Sequence, residues 1–82
     1  MVNAKFENSF KRSFFKIKDR LLMKKIWKQI YKIRDNPAIG KPMRFSRKGT
    51  RELYVKPFRI SYVYIKEGET VVFLDIYHKD SQ

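Results

Sequence analysis

The residues from Lys41 to Arg59 carry the densest chemistry in the chain. Lys41, Arg44, Arg47, Lys48, Arg51, Lys56 and Arg59 fall within nineteen residues, against a single acid, Glu52. Tyr54 lies inside this run, and Tyr62, Tyr64 and Tyr77 follow it. Cationic groups hold phosphates and aromatic faces stack on bases, so the mixture suits a single-stranded nucleic acid. Arg59 stands out because it lies near the start of an apolar strand pattern, where an unpaired guanidinium is costly to bury. It needs either a structural acid, with Glu52 and Asp75 as the candidates, or an anionic ligand.

Other chemistries fit less well. One histidine and no cysteine leave almost no metal ligands, and Glu52, Glu67, Glu69, Asp75 and Asp80 show no metal spacing. Ser61, Asp75 and His78 make a hydrolase triad on paper, but no nucleophile elbow accompanies them. The three glycines are isolated, so no glycine-rich phosphate loop is present. No metal or cofactor is expected.

Two adjacent strands must position the basic residues. Leu53 and Val55 alternate with Glu52, Tyr54 and Lys56. Phe58, Ile60, Tyr62 and Tyr64 alternate with Arg59, Ser61, Val63 and Ile65. A period of 2 sends one set to a core and the other to the opposite face. Residues 66–69 read as a hairpin turn. Residues 70–77 are almost continuously apolar and read as a central strand covered on both faces.

Upstream, residues 2–6 read as a short strand. Asn8 or Ser9 is placed to cap a helix that carries Phe10, Phe14 and Ile17. Asp19 is placed to cap a second helix, whose stripe is Leu22, Ile26, Ile30 and Ile33. Lys24, Lys25, Lys28 and Lys32 form its solvated face and would steer anions without touching them. Trp27, beside the stripe, reads as core. Asn36-Pro37 stops the helix. Gly40 and Pro42 mark a loop, residues 43–45 begin a strand, residues 46–49 form a basic turn, and residues 78–82 form a polar tail. The order predicts an α+β fold. A short N-terminal strand and a two-helix hairpin pack on one face of a mostly antiparallel, three- to four-stranded sheet. The other sheet face carries the polar set.

Bulk properties agree. The chain has 82 residues, enough for one domain, residues 1–82. A net charge of +12 favours an anionic partner. No apolar run approaches the roughly 18 residues of a membrane span, and the first residues lack the apolar block of a secretory signal. The expected location is the cytoplasm, with no membrane partner.

The order and spacing of these features resemble the RelE/ParE superfamily of toxins. The resemblance is carried by Asn36-Pro37, Arg51-Glu52-Leu53, Phe58-Arg59-Ile60-Ser61-Tyr62 and Phe73-Leu74-Asp75-Ile76-Tyr77-His78-Lys79, and runs over nearly the whole chain. It implies a small toxin from a toxin–antitoxin operon, neutralised by an acidic antitoxin protein. RelE-like members cut messenger RNA on the ribosome without metal. The 2′-hydroxyl attacks the adjacent phosphate and leaves a 2′,3′-cyclic phosphate and a 5′-hydroxyl. That reaction needs a base, an acid and cations for the charged transition state. The resemblance implies that Arg59 stabilises the phosphorane and that Arg51 belongs to the same basic site. His78, the one side chain whose ordinary pKa lies near neutrality, is the candidate general acid, supported by Lys79. Lys41, Arg44, Arg47, Lys48, Tyr54, Lys56 and Tyr77 are expected to bind the RNA.

Two other readings stay open. Where RelE carries two alternating lysines on the first of the paired strands, this chain has Glu52 and Tyr54. It also ends at Gln82, short of the C-terminal arginine and tyrosine of RelE. A non-enzymatic ParE-like toxin that poisons DNA gyrase shares the fold and the strand arginine. A basic module that holds RNA without cutting it is the third reading.

Overall fold

The computed structural model describes residues 2–81; Gln82, assigned above to the polar tail, lies outside them. The chain begins with strand β1, Asn3–Phe6, followed by helices α1, Asn8–Phe15, and α2, Arg20–Asp35. Asp19 caps α2 as expected, its carboxylate accepting from Leu21 N at 2.9 Å and Leu22 N at 3.2 Å. This satisfies donors that the first helical turn leaves free. The helix stops at Asn36, whose φ of −144° is extended, because Pro37 follows. The start of α1 departs from expectation. Glu7 is the N-cap residue and makes no side-chain cap bond. Asn8 is already helical, and the Ser9 hydroxyl donates to Leu74 O at 2.6 Å instead. That bond pins the helix to a strand rather than closing its own end.

The remaining strands are β2, Lys41–Pro42, β3, Arg51–Val55, β4, Phe58–Ile65, and β5, Thr70–His78. They form one five-stranded sheet in the order β1-β5-β4-β3-β2. The sheet is larger than the expected three to four strands because the N-terminal β1 joins it beside β5. The short strand expected at residues 43–45 lies instead at 41–42, as β2. Residues 45–47 form a turn of 3₁₀ helix instead. All pairs are antiparallel except β1 with β5, which run parallel, Ala4 beside Val71 and Phe6 beside Phe73.

The pairing of β4 with β5 contains a bulge. Ser61 faces Asp75, but Tyr62 faces Phe73, so Leu74 is the extra residue. A bulge shifts the side-chain alternation of its strand by one. Val71 and Phe73 point to the core before it, and Ile76 points to the core after it. The core lies between this face and the helices. It joins Phe10 and Phe14 of α1, Ile26, Ile30 and Ile33 of α2, and Val55, Ile60, Tyr62, Val71, Phe73 and Ile76 of the sheet. Trp27, expected in the core, is instead 40% exposed, with its ring 5.7 Å from that of Phe14. It lines an apolar cleft with Phe6, Phe10, Phe14 and Phe15.

Tyr62 fastens the loop after α2 to the central strand. It is fully buried, its hydroxyl donating to Pro37 O at 2.7 Å and accepting from Gly40 N at 2.8 Å. Burying a hydroxyl is tolerated because both of these bonds are made.

A cationic site on the open face of the sheet

The helices cover one face of the sheet, and the opposite face carries the polar set. Strand alternation places Glu52 and Tyr54 of β3 there, with Arg59 of β4 opposite Tyr54 and beside Tyr77 of β5. Glu52 is 5% exposed and is the anchor. Its carboxylate accepts from Arg47 Nη1 at 3.0 Å, from Arg59 Nη1 at 3.4 Å and from the Tyr77 hydroxyl. Arg47 also donates to the Tyr77 hydroxyl at 2.9 Å and lies over its ring at 5.5 Å. A buried carboxylate needs such partners, since unpaired it would be strongly destabilising. Asp75, the other acid considered for Arg59, is occupied elsewhere. It accepts from the Ser13 hydroxyl at 3.0 Å and from Ile76 N at 2.8 Å.

Arg59 keeps unused capacity. One of its nitrogens reaches Glu52, at the long end of hydrogen-bonding distance, while its buried Nε has no partner among the described residues. A guanidinium offers five donors in a planar fork that matches an oxyanion. The cleft in front of it is lined by Lys41, Met43, Glu52, Tyr54 and Lys79. Lys79 Nζ lies 5.6 Å from the centre of the Tyr54 ring. Arg44 joins Lys41 and Arg59 along an adjoining groove. Lys48 and Lys56 are exposed on the flanking turns.

The structure does not bring together all four candidate catalytic residues. Arg59 and Lys79 share the open face. Arg51 lies on the helix side of β3, its guanidinium donating to Gly40 O at 2.7 Å and Ala38 O at 3.2 Å. His78 is also on the helix side. It pairs with Phe58, and the two rings are 5.8 Å apart. The bulge is the reason: with strict alternation through β5, His78 would emerge on the face of Arg59. The signal was present as buried apolar positions at 71, 73 and 76, a spacing that breaks period 2. It was masked because nearly every residue of β5 is apolar. Sequence reasoning also missed the clamp of Arg47 and Tyr77 on Glu52, which gives two expected RNA contacts an internal role.

Burial raises the pKa of the Tyr62 hydroxyl above the ordinary 10.0. Burial first, and then the hydrogen bond to Glu52, raise that of Tyr77 above the same value. Above pH 10 the folded state therefore retains protons that the unfolded chain has lost. Their contribution to stability is fully present below about pH 10 and is lost as pH rises through the folded values. In an alkaline titration, tyrosinate absorbance from Tyr62 and Tyr77 should appear together with loss of far-UV circular dichroism. Their ionisation at constant circular dichroism would contradict this coupling.

Fold and site together define a class: a small, strongly basic α+β domain with a cationic cleft on the uncovered sheet face. Residues 4–82 match the family described as the ParE toxin of the type II toxin–antitoxin system parDE. The chain belongs to this family, within the RelE/ParE superfamily of toxins. No curated protein sequence matches it. Among solved structures, it is similar to a chain of the RelBE2 toxin–antitoxin complex from Mycobacterium tuberculosis. They share 25% identity at a TM-score of 0.82, covering 95% of this chain and 98% of that one. The isolated RelE toxin of E. coli shares 13% identity at a TM-score of 0.83, covering 100% of this chain and 88% of that one. The YoeB/ParE toxin from Agrobacterium tumefaciens shares 14% identity at 0.83, covering 94% and 98%. The expected RelE-like α+β architecture is therefore correct, with a fifth strand added.

Proposed function

We propose that this toxin is an endoribonuclease that cleaves messenger RNA on the ribosome, with the scissile phosphate seated at Arg59. The guanidinium of Arg59, held to Glu52 by one long bond and with its Nε unpaired among the described residues, faces a cleft that also holds Lys41 and Lys79 and carries this reading. The substrate's 2′-oxygen attacks phosphorus and the 5′-oxygen leaves, giving a 2′,3′-cyclic phosphate and a 5′-hydroxyl. Arg59 stabilises the charge that gathers on the phosphoryl oxygens, and the Lys79 ammonium supplies a second cation from the same face. Glu52 is already committed to three donors, so it is poorly placed to take the 2′-proton. An incomplete acid–base set fits an enzyme whose substrate is ordered by the ribosome. Mapping the 5′ ends of cellular messages after induction tests this. Breaks phased to codons support it, and intact messages alongside broken DNA would sink it.

The position of His78 favours a second reading, a ParE-like toxin that poisons gyrase without cutting RNA. With the imidazole on the helix side, the open face is cationic but carries no imidazole to move a proton.

The cleft's charge gives a quantitative expectation. If about five cations contact single-stranded phosphates, the logarithm of the binding constant should fall with log salt at a slope near −3.5. A slope near zero would leave the charge as a solubility feature.

The partner of the helical face is proposed to be an acidic antitoxin segment. RelE of E. coli has been solved with an antitoxin peptide, and here Phe15 and Trp27 leave an apolar cleft open beside Lys11. The complex with the product of the adjacent gene should melt well above the free protein, because a partner selective for the folded state stabilises it by mass action. It should lose RNA binding as well if an acidic residue of the segment reaches Arg59. A product that changes neither would remove the antitoxin assignment.

A further inference from the structure

We propose that Phe45 is a base-stacking residue, which receives an unpaired base of the RNA strand whose phosphate sits at Arg59. The proposal rests on the RNA reading above and extends its binding site onto the loop between β2 and β3. Phe45 is 91% exposed, more than any other large apolar side chain described. Its φ is +59°, in the left-handed region that bulky residues enter at an energetic cost. Such a conformation persists only where its surroundings hold it.

The surroundings do hold it. Lys48 N donates to Phe45 O at 3.0 Å, Arg47 N to Arg44 O at 3.2 Å, and Met43 N to Thr50 O at 3.0 Å. The Thr50 hydroxyl closes on Arg47 O at 2.7 Å. The Arg47 side chain then clamps the loop to the sheet through Glu52 and Tyr77. The ring is thus presented outward by a braced turn.

Charge identifies the occupant. Arg44, Arg47 and Lys48 neighbour Phe45 in the chain and are all exposed. Arg44 lines the same groove as Lys41 and Arg59, so a cationic track runs from the proposed phosphate seat to the foot of Phe45. A nucleic acid strand supplies phosphates for the track and a π-face for the ring at once. An apolar protein pocket would meet the ring but not the cations.

The test uses the whole protein and a short fluorescently labelled single-stranded RNA, with Phe45→Ala, Phe45→Leu and Phe45→Trp. Because the ring is so exposed, all three variants should melt with the wild type. Alanine and leucine should each weaken binding about tenfold with an unchanged salt slope, since both lack the stacking face. Tryptophan should restore affinity, and its fluorescence should be quenched on binding. On an otherwise identical RNA with abasic sugars, wild type and alanine variant should bind alike. If all variants bind within twofold of wild type, or if leucine keeps full affinity, stacking is overturned while the RNA reading stands. If the wild type binds no RNA at low salt, the RNA reading fails and the Phe45 proposal fails with it.

Discussion

Replacing Arg59 with alanine should abolish toxicity in cells while leaving the melting temperature close to that of the wild type. Losing one cation aimed at a charged transition state typically costs about 3–4 kcal/mol, a few hundred-fold in rate. The structural cost should be far smaller. The Arg59 side chain is 31% exposed and touches Glu52 only at 3.4 Å, while Arg47 and Tyr77 remain to satisfy the carboxylate. A partly solvated pair with this geometry contributes about 1 kcal/mol or less. Lysine at this position should recover part of the activity, because it keeps the charge but loses the planar fork. Message cleavage and thermal melting, measured on one preparation, decide the matter. A fall of several degrees in melting temperature with full activity in the surviving folded fraction would make Arg59 a structural ion pair.

The largest loss of stability should come from Gly40→Ala. Gly40 has ordinary extended angles, φ −73° and ψ 155°, so conformational freedom is not what it supplies. It supplies space. An added Cβ would collide with the Tyr62 hydroxyl and lie 2.8 Å from Cε1 of that ring. Tyr62 is fully buried and cannot move aside without breaking its bonds to Pro37 O and Gly40 N. Overpacking costs about 1–3 kcal/mol and each orphaned buried group a similar amount, so a total near 4 kcal/mol is expected. In a domain of this size each kcal/mol moves the midpoint by about 4–8 °C. Tyr62→Phe alone should cost about 1–2 kcal/mol. Combined with Gly40→Ala it should be less damaging than the sum, since it removes the atom that the new methyl meets first. Strict additivity in the double-mutant cycle would mean that the two residues do not collide.

Much of the architecture was legible because local signals and burial agreed. Asp19 and Asn36-Pro37 bracket α2 through chemistry that acts within a few residues. Ile26, Ile30 and Ile33 recur at the helical period and are all buried. The alternation along β3 and β4 placed Arg59 on the uncovered face. What was not legible depends on pairing between distant segments. The extra residue at Leu74 is defined only against β4, and it decides on which face His78 emerges. The family resemblance groups Arg51 with Arg59, yet the same alternation that places Arg59 on the open face sends Arg51 to the other side. Residues 43–45 read as the start of a strand, while the strand lies two residues earlier, at Lys41 and Pro42, and Phe45 opens a turn.

The parallel pairing of β1 with β5 also governs when this molecule can come into being. Asn3 aligns with Thr70 and Phe6 with Phe73, so residues near the beginning of the chain wait for residues near its end. Contacts separated this widely carry a high loop-closure cost and form late. While the chain is being made, α2 can wind on its own, but the rings of Phe6 and Phe10, though they meet each other and Trp27 or Phe14, lack their sheet partner until Phe73 arrives. Arg59 lies on β4, whose partner on one side is the same late strand. Synthesis through residue 78 is therefore the step that completes the sheet and its cationic cleft together, and a chain arrested before it has neither.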